Sequence, residues 1–119
     1  MELDGSWIAI SAELAGKKIP SGLLSSISFS ISKDTYTARL AGATDKGKLS
    51  INPDLIPHTM DIIGLDGPNK GKTIRAIFRM TGKHLEMCLA LEGGDYPEKF
   101  TSPPDQQFFL VQYRRRNES

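Results

Sequence analysis

Hydrophobic and polar residues alternate with a period of two along most of this chain. The cleanest run sets Ile27, Phe29 and Ile31 against Ser26, Ser28, Ser30 and Ser32. Successive side chains of a strand point to opposite faces, so this run predicts a strand with one dry and one hydroxylated face. Lys33-Asp34 predicts a tight turn. Thr35 to Leu40 then returns with Tyr36, Ala38 and Leu40 on one side and Thr35, Thr37 and Arg39 on the other. The two runs read as a hairpin, and such strict alternation fits an antiparallel sheet with one wet face.

The same signal recurs outside this hairpin. Trp7 to Ala12 reads as a first strand and Ala15 to Lys18 as a turn. Ile19 to Ser25, with Pro20 and Gly22, is too short for a full helix and predicts one helical turn near residues 20–25 that lids an end of the fold. Ala41 to Gly47 reads as a turn, Lys48 to Asn52 as a short strand, and His58 to Gly64 as a strand carrying Met60 and Ile62. Asp66 to Gly71 has turn composition. Thr73 to Met80 sets Ile74, Ala76, Phe78 and Met80 against Thr73, Arg75, Ile77 and Arg79, and His84 to Leu91 answers with Leu85, Met87, Leu89 and Leu91. Glu92 to Asp105, with its glycines and prolines, is irregular, and Gln107 to Arg114 is a last strand.

About eight strands, each within a short connection of the one before, predict an all-β up-and-down antiparallel barrel. Closure removes the exposed edges that an open sheet must protect. Residues 1–114 form the barrel domain in this reading, and 115–119 are a polar tail.

Composition narrows the classes. The chain has 119 residues, 39% hydrophobic and 24% charged, which suits one globular domain with its own core. A net charge of +1 offers no global field for nucleic acid or acidic membranes. With one cysteine, Cys88, no internal disulfide exists and packing must hold the fold. No apolar run reaches the roughly 20 residues of a membrane span. Met1-Glu2-Leu3-Asp4 is acidic and lacks a signal-peptide layout, which predicts a cytoplasmic protein, or a periplasmic or secreted one had a leader been removed.

Several strings carry a resemblance. They are Gly5-Ser6-Trp7 with Ser11-Ala12-Glu13, Gly16-Lys17 to Pro20, Asn52-Pro53, Asp66-Gly67-Pro68-Asn69-Lys70-Gly71-Lys72-Thr73, Leu85 to Leu89 around Cys88, and Pro97 to Phe100. Gly-x-Trp on a first strand resembles the lipocalin-like families. The whole set resembles a lipocalin-like domain family of small, mostly uncharacterised bacterial proteins abundant in planctomycetes. The family often has Arg just before the proline at 97; here Tyr96 stands in its place. The resemblance implies an eight-stranded barrel that binds a small apolar molecule, with no known catalytic activity.

Candidate chemistry is sparse. In a lipocalin-like barrel Trp7 would plug the closed end beneath a basic side chain of the last strand, with Arg114 the first candidate and Arg115 the next. Gly67 to Thr73 imitates a phosphate loop, but that motif needs four residues between its glycines and a helix after it. This stretch has three and precedes a strand, so it reads as a hairpin turn. His58 and His84 are the two histidines. His84 and Cys88 share a strand face roughly 13 Å apart and cannot chelate one ion, so neither a metal nor a cofactor is expected. Cys88, between Met87 and Leu89, reads as a packing residue rather than a nucleophile. The acids are scattered without catalytic spacing.

Phe29, Tyr36, Met60, Phe78, Met87 and Leu89 fall on the apolar faces and would meet inside a barrel. Such a lining suits an adaptable pocket and a filled core equally well. Arg75, Arg79 and Tyr96 are candidates for polar contacts at a mouth. The leading expectation is a carrier of a small hydrophobic or amphipathic molecule, as a monomer or homodimer. One alternative is a packed barrel acting as a protein-interaction module, motivated by apolar residues on the other faces (Ile8, Ile10, Ile77, and Phe108 or Phe109). Another is an enzyme, an isomerase or hydrolase, on the same scaffold.

Overall fold

A computed structural model describes residues 3–40 and 42–116. Nine strands and one 3₁₀ turn follow one another: β1 (Gly5–Leu14), β2 (Lys17–Lys18), η1 (Ser21–Ser26), β3 (Ser28–Ser32), β4 (Thr35–Leu40), β5 (Ala43–Asn52), β6 (His58–Asp66), β7 (Thr73–Thr81), β8 (His84–Ala90) and β9 (Phe108–Arg115). All pairings are antiparallel, and β9 returns to β1. The two-residue β2 merely extends the hairpin off Glu13 and Leu14. The molecule is therefore a closed, eight-stranded up-and-down barrel, and the short helical turn near residues 20–25 is η1.

Alternation decides which side chains go in. Trp7, Met60, Ala76, Phe78, Leu85, Met87 and Val111 have no exposed surface, and with Phe29, Tyr36, Ile62, Ile74, Leu89, Phe109 and Tyr113 they form one continuous core. β1 serves two neighbours. Gly5 to Ile8 pair with β3, while β9 follows β1 from Trp7 to Leu14 across a bulge between Ala9 and Ser11. Where β3 ends, η1 covers the gap: Ala9 N donates to Ile27 O at 3.0 Å and Ile19 N to Ala12 O at 2.9 Å. Pro20 presets φ at −57° before the turn, and Ser26 Oγ donates back to Leu23 O at 2.6 Å.

One end is shut by Trp7. Its Nε1 donates to Leu3 O at 3.0 Å, which folds the N-terminal segment across the opening. The cation over the ring is Arg115, with Cζ 4.3 Å from the centroid, and it also donates to Asp4 O at 2.8 Å. Arg115, rather than the first candidate Arg114, takes this place because it stands opposite Trp7 in register and shares the inward parity of Val111 and Tyr113. Arg114 stands opposite Ile8. Arg115 also belongs to the last strand and not to a tail; residues 117–119 lie outside the described residues.

The expected turn over 41–47 is a correction. Leu40 pairs with Ala43, so the chain reverses within two residues, and Gly42 takes the left-handed backbone that such a reversal needs (φ +86°); Ala41 lies outside the described residues. β5 is then a full ten-residue strand. Its first half hides the alternation because the inward positions are Asp45 and Gly47. Gly47 is required there: a Cβ would collide with Ile63 O of β6 and lie 2.9 Å from Tyr36 Cε1.

The irregular 91–107 segment crosses the outside of the barrel. Cys88 Sγ donates to Thr101 O at 3.3 Å, Arg75 Nη1 to Gly94 O at 3.0 Å, and Gly16 N to Ser102 Oγ at 3.1 Å. Tyr96 Oη donates to Asp61 Oδ1. This strap lies over the outer row to which Ile77 and Cys88 belong, and Ile77 is 1% exposed. Its apolar outer position thus marks the seat of the chain's own loop, and Phe109 is an inward core residue.

Three substitutions check this account. Gly47→Ala should destabilise the fold by about 3 kcal/mol, since backbone must move to admit the methyl group. Trp7→Ala should cost about 4 kcal/mol, and Arg115→Ala about 1 kcal/mol. Chemical denaturation measures all three, and near-native stability of Gly47→Ala or Trp7→Ala would contradict the packing described.

Candidate functional site

The hairpin turns and long loops sort to opposite ends of the barrel. The Trp7 end gathers the N-terminal segment, Lys33-Asp34 and Gly82-Lys83. The other end gathers η1, the β4–β5 turn, the β6–β7 turn and the start of the strap. Unfilled space inside the barrel lies at this second end. It is a cavity of about 80 Å³ whose walls include Ile27, Phe29, Tyr36, Leu89, Phe109 and Tyr113. Ala38, Leu40, Ile62, Ile74 and Leu91 complete the apolar wall, and Ser28, Arg39, Asp45 and Asn69 are its polar members.

The polar rim is built by the β6–β7 turn. Asp45 Oδ1 accepts from Asn69 N and Oδ2 from Asn69 Nδ2, both at 2.8 Å. The turn itself is held by Lys70 N to Gly67 O at 3.0 Å and Gly71 N to Gly64 O at 2.9 Å. The string that imitates a phosphate loop is therefore a hairpin connection, and its asparagine clamps the turn to β5. Aromatic rings make one wall of the cavity: Phe29 stacks on Tyr36 at 5.5 Å and on Tyr113 at 6.1 Å between centroids.

Of the six residues expected to line a pocket, Phe29, Tyr36 and Leu89 do so. Met60, Phe78 and Met87 are sealed in the packed part, where Phe78 faces His58 at 5.3 Å. Arg75, Arg79 and Tyr96 are not at the mouth. The two arginines alternate with Ile74, Ala76 and Phe78 and so stand on the outer wall beneath the strap. Arg79 Nε donates to Glu86 Oε1 at 2.6 Å and its guanidinium sits 4.1 Å from the Phe100 centroid; Arg75 lies 5.8 Å from the Tyr96 ring. These polar groups tie the strap down. A wide, open trough of about 740 Å³ runs along the strap beside Ala90, Tyr96 and Phe108, outside the barrel.

Tyr113, Asp45 and Asn69 are among the lining residues not expected from the sequence. Tyr113 was signalled by its alternation with Phe109 and Val111. Asp45 and Asn69 had no such signal, because one lies where a turn was expected and the other within one.

Burial sets the electrostatics. It holds the Tyr113 phenol well above the ordinary tyrosine range. Tyr36 is raised in the same way, with the Asp45 charge adding to the effect. On the outer wall the hydrogen bond to Asp61 raises Tyr96. Burial pushes the Cys88 thiol up to about 11, against a smaller opposing effect of its bond to Thr101. The cavity thus presents apolar walls, two neutral phenols and a rim with one charge of each sign.

Comparison with protein-family models, with curated proteins and with solved structures returned no match. Among the described residues no helix is long and apolar enough to cross a membrane.

Cys88 provides a check on the strap. At pH 8 a thiol reagent should label native protein far more slowly than unfolded protein, because the thiol is covered and protonated. The unfolded thiol ionises first as pH rises, so this residue's contribution to stability falls between about 9 and 11; Cys88→Ala should flatten that decline. Rapid stoichiometric labelling of the native chain would contradict the covered position.

Proposed function

We propose that this protein is a lipocalin-like binding protein that receives part of one small hydrophobic or amphipathic molecule at the open end of the barrel. The observation that carries this reading is the place of the unfilled space. It lies at the end bounded by turns, behind apolar walls, and not beneath Trp7. Leu40, 45% exposed, stands at the same rim and extends the apolar surface outward.

Size restricts the ligand. Pockets for drug-sized molecules hold roughly 300–1,000 Å³. A cavity of about 80 Å³ admits a few heavy atoms, so a long acyl chain does not fit inside the barrel. The bound molecule is either very small or leaves most of itself on the rim near Asp45 and Asn69. Apolar burial on this scale supports affinities on the order of micromolar at best.

A second reading, a barrel that acts as an interaction module without a ligand, has one observation in its favour. The half next to Trp7 is filled, and the loop at that end exposes Leu55 and Ile56, at 49% and 93%.

Binding of toluene and of acetone followed by amide NMR separates the two readings. Saturable shifts are expected at Leu40, Leu91 and Phe109, with none beside Trp7. Ala38→Leu, which fills the cavity, should abolish them while leaving the melting temperature within a few degrees. Absence of saturable shifts with both toluene and acetone, or shifts indifferent to Ala38→Leu, would rule out the binding function.

A further inference from the structure

Three side chains of this cavity, Ser28, Tyr36 and Tyr113, have hydroxyls without a partner among the described residues, and the two phenols stand on the inward faces of their strands. Tyr36 and Tyr113 both line it, and each is 4% exposed. Among the described residues neither phenol oxygen makes a hydrogen bond to the protein. Buried hydroxyls are ordinarily paired. No buried side-chain oxygen or nitrogen of the described part is sealed off without a partner, so both hydroxyls open onto space large enough for water.

The surroundings decide what fits there. Phe29 stacks on both rings, which joins the two tyrosines into one aromatic wall. Both phenols stay protonated, so both are donors. The carboxylate among the lining residues, Asp45, accepts two bonds from Asn69 and is turned toward the β6–β7 turn. Apart from Arg39 the walls carry no further charged group. A space of about 80 Å³ holds several waters, which a small ligand would displace.

We infer that the cavity selects a neutral molecule with a hydrogen-bond acceptor, a small ketone, aldehyde or ester, whose oxygen accepts from the Tyr113 hydroxyl, with Tyr36 as the second donor. The inference rests on the binding reading and adds the ligand's chemical class to it. A hydrocarbon leaves the hydroxyls unpaired once it displaces water, and an ion must give up its hydration to enter a space whose walls are mostly apolar.

The test is an NMR titration of the whole chain with cyclopentanone, with methylenecyclopentane as the hydrocarbon of the same shape, and with cyclopentylammonium. The ketone should bind most tightly. In Tyr113→Phe the ratio of ketone to hydrocarbon affinity should fall about fivefold, and in Tyr36→Phe by a smaller factor. A ratio unchanged in both variants overturns the inference while leaving the binding function in place. Tighter binding of the ammonium ion also overturns it and makes Asp45 the selecting group. No saturable binding of any of the three overturns the binding function and this inference together. If Tyr113→Phe fails to fold by thermal melting, the ratio in Tyr36→Phe decides.

Discussion

The pairing of β9 with β1 is the constraint on which the rest of the structure depends. It joins residues from opposite ends of the chain, Trp7 with Arg115 and Leu14 with Phe109, and turns a meander into a ring. A sheet of this kind left open would expose two ladders of unpaired backbone groups. Closure satisfies both at once, and it also brings Arg115 over the indole that shuts one end. Burial of the indole contributes more than the cation above it, because the stack is worth about 1 kcal/mol and the loss of a large core side chain several times that.

A closed ring of eight short strands has little room to spare. The interior is just wide enough to be filled by side chains. Met60, Phe78, Leu85 and Met87 fill it near the Trp7 end, and what is left over is a small volume near the turns. The outer surface is used as well. The strap covers Ile77 and Cys88, so the sheet is dry on both faces over part of β7 and β8. Arg75, Arg79 and Tyr96 serve this outer layer: each polar end finds a partner on strap or strand while the longer side chains pack along it.

Empty space in such a molecule is a by-product of incomplete filling. Large aromatic residues meet at the turn end, and flat rings do not fill a curved wall. The void left between Phe29, Tyr36, Phe109 and Tyr113 is lined by two tyrosines and by Ser28. The Asp45–Asn69 clamp holds the mouth by fixing the β6–β7 turn against β5.

Much of this architecture was legible in the residues. The β3–β4 hairpin, the β7–β8 pair, the single 3₁₀ turn and the closed all-β class follow from period-two alternation and turn composition, which are local properties of the backbone. Phe29, Tyr36 and Leu89 could be placed facing inward for the same reason. The reading failed where local pattern is silent. The first half of β5 carries Asp45 and Gly47 at inward positions, since one answers a turn asparagine and the other makes room for Tyr36 and a neighbouring carbonyl. Parity alone could not choose between Arg114 and Arg115 without the register of β9 on β1. Whether the barrel is hollow, and whether Ile77 faces a partner or the chain's own strap, depended on distances between residues far apart in sequence. Alternation fixes which way a side chain points; only the assembled packing fixes what it meets and how much space remains.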